Sequence, residues 1–141
     1  MEIINLKMSG DMGAFLAALD LYWTRVYDEE DDIYPDTFYW HGNEPDIHAA
    51  YLFLHAGRPD LTQRWVRWIG DALYSTAPDG IAGNDDAGTM SAWYVFSAMG
   101  LYPATPGLAE YRLGSPLFER ITLHLGDEGG DGLLAGLVSA P

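Results

Sequence analysis

Along residues 11–26 the apolar positions Met12, Phe15, Leu16, Leu19, Tyr22, Trp23 and Val26 recur every three or four residues, the period of an amphipathic helix. The acidic run DEEDD, Asp28 to Asp32, ends that pattern. It reads as a solvated loop, because a calcium loop needs alternating ligands and a turn glycine that this run lacks. A second helix is predicted from about Pro45 to Ala56, closed by Gly57. A third covers roughly Asp60 to Thr76, with an apolar stripe of Leu61, Trp65, Trp68, Ile69 and Leu73 and stop signals at Pro78 and Gly80. The fourth, about Asp86 to Met99, has almost no polar side and offers only Thr89, Ser91 and Ser97 to water. A surface helix needs a wet face, so this one is expected to be buried all round, with Gly100 as its C-cap.

After PATPG the pattern changes. EYRLGSPLFERITLHL reads as two short strands, near Glu110 to Leu113 and Arg120 to Leu125. The closing GDEGGDGLLAGLVSAP has five glycines and no periodicity, and reads as a loosely ordered tail. The expected organisation is a helical part over 1–109, a strand segment over 110–125 and a tail over 126–141. Consecutive helices joined by short loops run antiparallel, so alternate helices run parallel. The loops HGNEP and GNDDAG open alternate helices and should therefore meet at one end of the bundle. That places Glu44, Asp85 and Asp86 on one face.

Charge narrows the partners. Of 141 residues, 21 are acidic and 7 basic, for a net charge of -14. Such a field repels nucleic acid and anionic membrane, and suits cations and neutral ligands. The absence of cysteine removes thiolate metal sites and disulfides. No apolar run approaches the roughly 18 residues of a membrane span, and Met1 to Gly10 does not read as a signal peptide.

The acids at the two helix mouths carry the candidate chemistry. Pro45 disfavours an α conformation at Glu44, which puts Glu44 at the N-cap and Pro45 at the first helical position. Glutamate is a poor cap, and Asn43 beside it would serve better. An ordinary acidic first turn is the competing explanation. Asp86 fits a plain cap, whereas Asp85 beside it adds a repelling neighbour between two glycines, Gly83 and Gly88, that allow close backbone approach. A cation or polyol site and simple capping both remain open for this loop. His41 and His48 flank Glu44, but zinc would require a third ligand at metal spacing. Tyr39, Trp40 and Trp93 could stack on a sugar ring or belong to the core. No catalytic serine triad, phosphate loop or dinucleotide fingerprint is present.

Taken together, WHGNEPDIHAAYLFLHAGRPDLTQRWVRWI, PDGIAGNDDAGTMSAWYVFSAMGLYPATPG and EYRLGSPLF resemble glycoside hydrolase family 92, the calcium-dependent α-mannosidases of bacteria and fungi. The resemblance covers about Trp40 to Leu125. It implies a mainly α fold, part of an (α/α)6 barrel of antiparallel hairpins with a short β segment. It also implies an inverting exo-α-mannosidase acting on mannose-containing glycans, in which Ca2+ binds the mannose O2 and O3. Carried over by motif, Asp86 matches the general base, and Asn84 falls where many relatives carry an assisting acid. Asn43 and Glu44 match the calcium motif, while His41, Gly42, Asp85 and Trp93 fall around the sugar subsite. The family's general acid, a glutamate upstream of HGNEP, and its preceding β-sandwich have no counterpart here. The chain thus reads as the C-terminal part of a catalytic domain, inactive alone, from a secreted or periplasmic parent. The alternatives are a non-catalytic helical module that binds Ca2+ or glycan, and a scaffold whose acids only cap helices.

Overall fold

The computed structural model describes residues 10–23, 39–105 and 107–123. Helix α1, Met12–Trp23, buries Phe15, Leu19 and Trp23, one residue per turn, as the periodicity predicts. Asp11 starts it, its carboxylate accepting the Ala14 N–H at 2.9 Å. Val26, the acidic run and the tail from 126 onward lie outside the described residues.

The helix expected over 45–56 is instead a 3-10 turn, Glu44–Asp46, followed by a 3-10 helix, Ala49–Ala56. Its packing supplies the reason. Ile47, Ala50 and Phe53 are buried at intervals of three, which three residues per turn keeps in line, with Ala49 and Tyr51 buried beside them. The buried Thr62 hydroxyl also donates to the Ala50 carbonyl at 2.9 Å, drawing that oxygen toward the neighbouring helix. Asn43, not Glu44, is the N-cap residue, and Gly57 closes the segment in the left-handed conformation, as expected.

Helix α2, Pro59–Ala72, packs Thr62, Trp65, Val66 and Ile69 inward and returns antiparallel to the 3-10 helix, its principal contact. It ends four residues before Thr76. Tyr74 pairs with Ile81 in an antiparallel bridge, and the Ser75 N–H donates to the Gly80 carbonyl at 2.9 Å. The chain therefore turns back before Pro78 could break a helix. Gly80 is required there, since a Cβ would sit 2.2 Å from the Ser75 oxygen.

Helix α3, Thr89–Ala98, buries Met90, Trp93, Ser97 and Ala98 against α2 and the strand that follows. It is not buried all round: Val95 is 54% exposed, and Ser91 and Ala92 also face outward. Strand β1, Leu101–Tyr102, pairs antiparallel with β2, Arg112–Leu113, through Leu101↔Leu113 and Tyr102↔Arg112. The sequence pattern located β2 but not β1, and the described residues of the segment from Arg120 form no strand. Two residues are too few for an alternation to register.

The core is aromatic and runs from α1 to α3. Trp23 stacks between Tyr39 (4.1 Å) and Trp65 (4.6 Å), Tyr74 lies parallel to Trp93 (5.8 Å, 4°), and Tyr51 stacks on Tyr102 (4.2 Å, 9°). Such pairs add roughly 0.5–1.5 kcal/mol each beyond their area burial.

Candidate active site

The loops HGNEP and GNDDAG meet. Gly83 has φ +71°, and a Cβ on it would lie 3.0 Å from both the Cα and the carbonyl oxygen of Gly42. The two backbones are thus in contact through two glycines, and a side chain at Gly83 would crowd Gly42. A side-chain hub below reinforces this. The His41 imidazole is 1% exposed, with Nδ1 2.5 Å from the Tyr39 hydroxyl and Nε2 2.6 Å from the Tyr74 hydroxyl. Tyr74 also donates to the Met90 carbonyl at 2.9 Å, and the Trp93 indole N–H donates to the Ile47 carbonyl at 2.7 Å. Burial lowers the His41 pKa to about 4, so the ring is neutral near pH 7. Desolvation pushes the Tyr39 and Tyr74 hydroxyls well up, so both keep their protons.

The acids above this floor divide into committed and uncommitted groups. Asp85 caps α3: its Oδ1 accepts from the Ser91 N–H (2.9 Å) and the Ser91 hydroxyl (2.7 Å). Those two donors hold its carboxyl below the usual range. Asp86 contributes its backbone instead, the carbonyl accepting from Thr89 N–H (3.2 Å) and Thr89 Oγ1 (2.8 Å). Its carboxylate has no hydrogen bond or ion pair to another described residue. The capping explanation, which sequence attached to Asp86, belongs to Asp85.

Asp86 and Ala87 both have positive φ, 50° and 56°, and Gly88 follows at 95°. Holding L-residues there costs roughly 1–2 kcal/mol each, with aspartate tolerated better than alanine. Strain of this kind persists where the surroundings over-determine it and concentrates at functional sites.

On the facing loop, Asn43 Nδ2 donates to Asp46 Oδ2 at 2.8 Å, and burial, with the Asp46 charge nearby, pushes the Tyr22 hydroxyl up. The Asn43–Asp46 bond leaves the Asn43 amide oxygen as its remaining acceptor. Glu44 is exposed, as are Asn84 and Asp85, while Asp86 is half-buried. Gly42 is buried with His41, and Trp93 is only 2% exposed. His41, Gly42 and Trp93 are therefore buried, whereas Glu44, Asn84 and Asp85 are exposed. Trp40 is the aromatic residue left partly open there, 40% exposed and packed against Gly42. No group of three or more His, Cys, Asp or Glu side chains is arranged to hold a metal among the described residues.

Tyr74 is the residue of this hub that sequence reasoning missed. Its only signal was a hydroxyl one position beyond the apolar stripe, close to the stop signals of α2.

The pattern of known proteins that this chain matches is consistent. Residues 5–133 match the model of the glycosyl hydrolase family 92 catalytic domain. A relative described as an uncharacterized secreted glycosidase, from Arthroderma benhamiae, is 33% identical over 121 residues, 86% of this chain and 14% of its own. Among solved structures, the family GH92 α-mannosidase of Bacteroides thetaiotaomicron in complex with mannoimidazole superposes with a TM-score of 0.64. It is 39% identical, over 74% of this chain and 14% of that one. A second structure of that enzyme gives 0.55, with 49% identity over 57% of this chain and 11% of that one. The chain thus spans about 14% of the length of these relatives. The likeness extends to the fold, which is mainly helical, the hairpins of a partial (α/α)6 barrel. The chain belongs to glycosyl hydrolase family 92, within its catalytic domain.

Proposed function

We propose that this chain forms the general-base and calcium half of an inverting exo-α-mannosidase that hydrolyses α-mannosides of glycans. The observation that carries the reading is the backbone contact between Gly42 and Gly83, which brings the Glu44 and Asp86 loops to one face. Inverting hydrolysis uses two carboxyl groups roughly 6.5–9.5 Å apart, with a water between the base and the sugar. Asp86 is the carboxylate that helix capping leaves uncommitted, which suits a base. It takes the proton of the water whose oxygen attacks the anomeric carbon. The glycosidic oxygen departs with a proton from an acid on another segment of the family's catalytic domain. Asn84, an amide with no charge of its own, orients that water by hydrogen bonding rather than sharing its proton.

The residues present fit calcium in chemistry. Asn43 and Glu44 offer a neutral and an anionic oxygen, the donors a hard cation prefers, and the Asn43–Asp46 hydrogen bond fixes which amide atom faces outward. They supply part of a shell of roughly six to eight oxygens. When bound, the cation supplies positive charge for sugar hydroxyls. His41, Gly42 and Trp93 support the sugar subsite from beneath, and Asp85 borders it. The secreted relative makes an extracellular site of action the natural reading, and a net charge of -14 agrees with a neutral glycan and a cation as partners.

Titration calorimetry with Ca2+ on the wild type and Glu44→Gln tests the reading. The wild type should bind, and the variant should bind at least about tenfold more weakly, since losing even a supporting partner of a ligand costs that much. Equal affinities, or no uptake by the wild type, would favour acids that serve only the helix ends.

A further inference from the structure

Between the two loops the polar atoms form a single directed chain. Tyr74 has one hydroxyl proton, and it is given to the Met90 carbonyl in the first turn of α3 at 2.9 Å. Toward His41 the same oxygen can therefore only accept, so the proton of that 2.6 Å bond sits on His41 Nε2. A neutral imidazole carries one N–H, which leaves Nδ1 bare and obliges the Tyr39 hydroxyl to donate to it. The direction runs from Tyr39 through His41 and Tyr74 to Met90, with every proton accounted for.

We propose that Tyr74 is a positioning residue, which fixes the Nε2–H tautomer of His41 and through it ties the loop of Asn43 and Glu44 to the loop of Asp85 and Asp86. Its role in catalysis rests on reading those loops as the catalytic face. The ring is suited to the task. It lies parallel to Trp93, and the backbone of Tyr74 is held by the bridge to Ile81, on the strand-like segment that leads into GNDDAG. Tyr74 thus touches the first loop, the segment that leads into the second and the first turn of α3, while the Tyr39 hydroxyl reaches only His41. Two tyrosines on one imidazole are therefore not equivalent.

That asymmetry gives the test. Long-range 1H–15N spectra of the 141-residue protein read the His41 tautomer, and amide spectra read each loop. Wild type should show Nε2–H, with Nδ1 unprotonated. Tyr74→Phe, which keeps the ring stack, should shift the tautomer and move the amides of both 41–46 and 83–90. Tyr39→Phe removes one hydroxyl from the same ring and should move 41–46 alone. An Nδ1–H tautomer in the wild type would overturn the proposal, and this readout stands even if Tyr74→Phe does not fold. Equal effects of the two variants on both loops would also overturn it, as expected of hydroxyls that merely add stability. Neither readout uses calcium or glycan, so failure of the mannosidase reading in calorimetry would leave this result intact.

Discussion

Replacing Gly83 by alanine tests whether the two loops touch. Two penalties add at this position. The first is conformational: φ is +71°, and holding an L-residue in the left-handed region costs roughly 1–2 kcal/mol. The second is steric, because the new methyl would sit 3.0 Å from both the Cα and the oxygen of Gly42. Those are backbone atoms that no rotamer change can remove, and overpacking of this kind costs roughly 1–3 kcal/mol. The sum is about 2–5 kcal/mol. Gly57→Ala is the matched control, with φ +69° and nothing within 4 Å of a Cβ. It incurs the first penalty alone, about 1–2 kcal/mol. Urea unfolding by linear extrapolation measures both. The steric difference should reach at least about 1 kcal/mol. If Gly83→Ala costs no more than Gly57→Ala, the loops are apart and the case for one catalytic face falls with the contact.

Two further outcomes follow from the same geometry. His41 falls from 6.5 to about 4 on folding, so between those values the unfolded chain binds more protons than the folded one. The stability it confers is complete above pH 6.5 and lost as pH falls toward 4, by about 2 kcal/mol between pH 7.5 and pH 5. Urea midpoints across that range should show the slope, and His41→Gln should abolish it; an unchanged slope would assign the acid sensitivity elsewhere. Asp85→Ala should lower the thermal midpoint by removing the Ser91 cap, while Asp86→Asn leaves it in place. The opposite ranking would return the capping role to Asp86.

Much of the fold was legible because apolar spacing reports burial directly. Phe15, Leu19 and Trp23 on α1, and Trp65 and Ile69 on α2, face inward as their period requires. The meeting of the two loops was also legible, from the alternation of hairpins. What periodicity could not convey was winding. Ile47, Ala50 and Phe53 are compatible with either helix type, and the choice depends on Thr62, twelve residues downstream of Ala50. The end of α2 was misread because Pro78 is a visible stop, whereas the Tyr74–Ile81 bridge is a tertiary event. At the site, adjacent aspartates cannot be told apart by composition. Which of Asp85 and Asp86 caps depends on positive φ at Asp86 and Ala87, a geometry that only glycine advertises in sequence. The expectation of a fully surrounded α3 followed from its composition, yet Val95 is more than half exposed among the described residues.

The uneven depth of the tryptophans gives the protein its own optical reporter. Trp23, Trp65 and Trp93 are buried and Trp68 is half-buried, while Trp40 stands 40% exposed against Gly42. A neutral collisional quencher would reach the indole beside the junction of the two loops and spare those packed in the interior. Fluorescence from this one ring would then follow the arrival of a sugar or a cation at that junction, with no label attached.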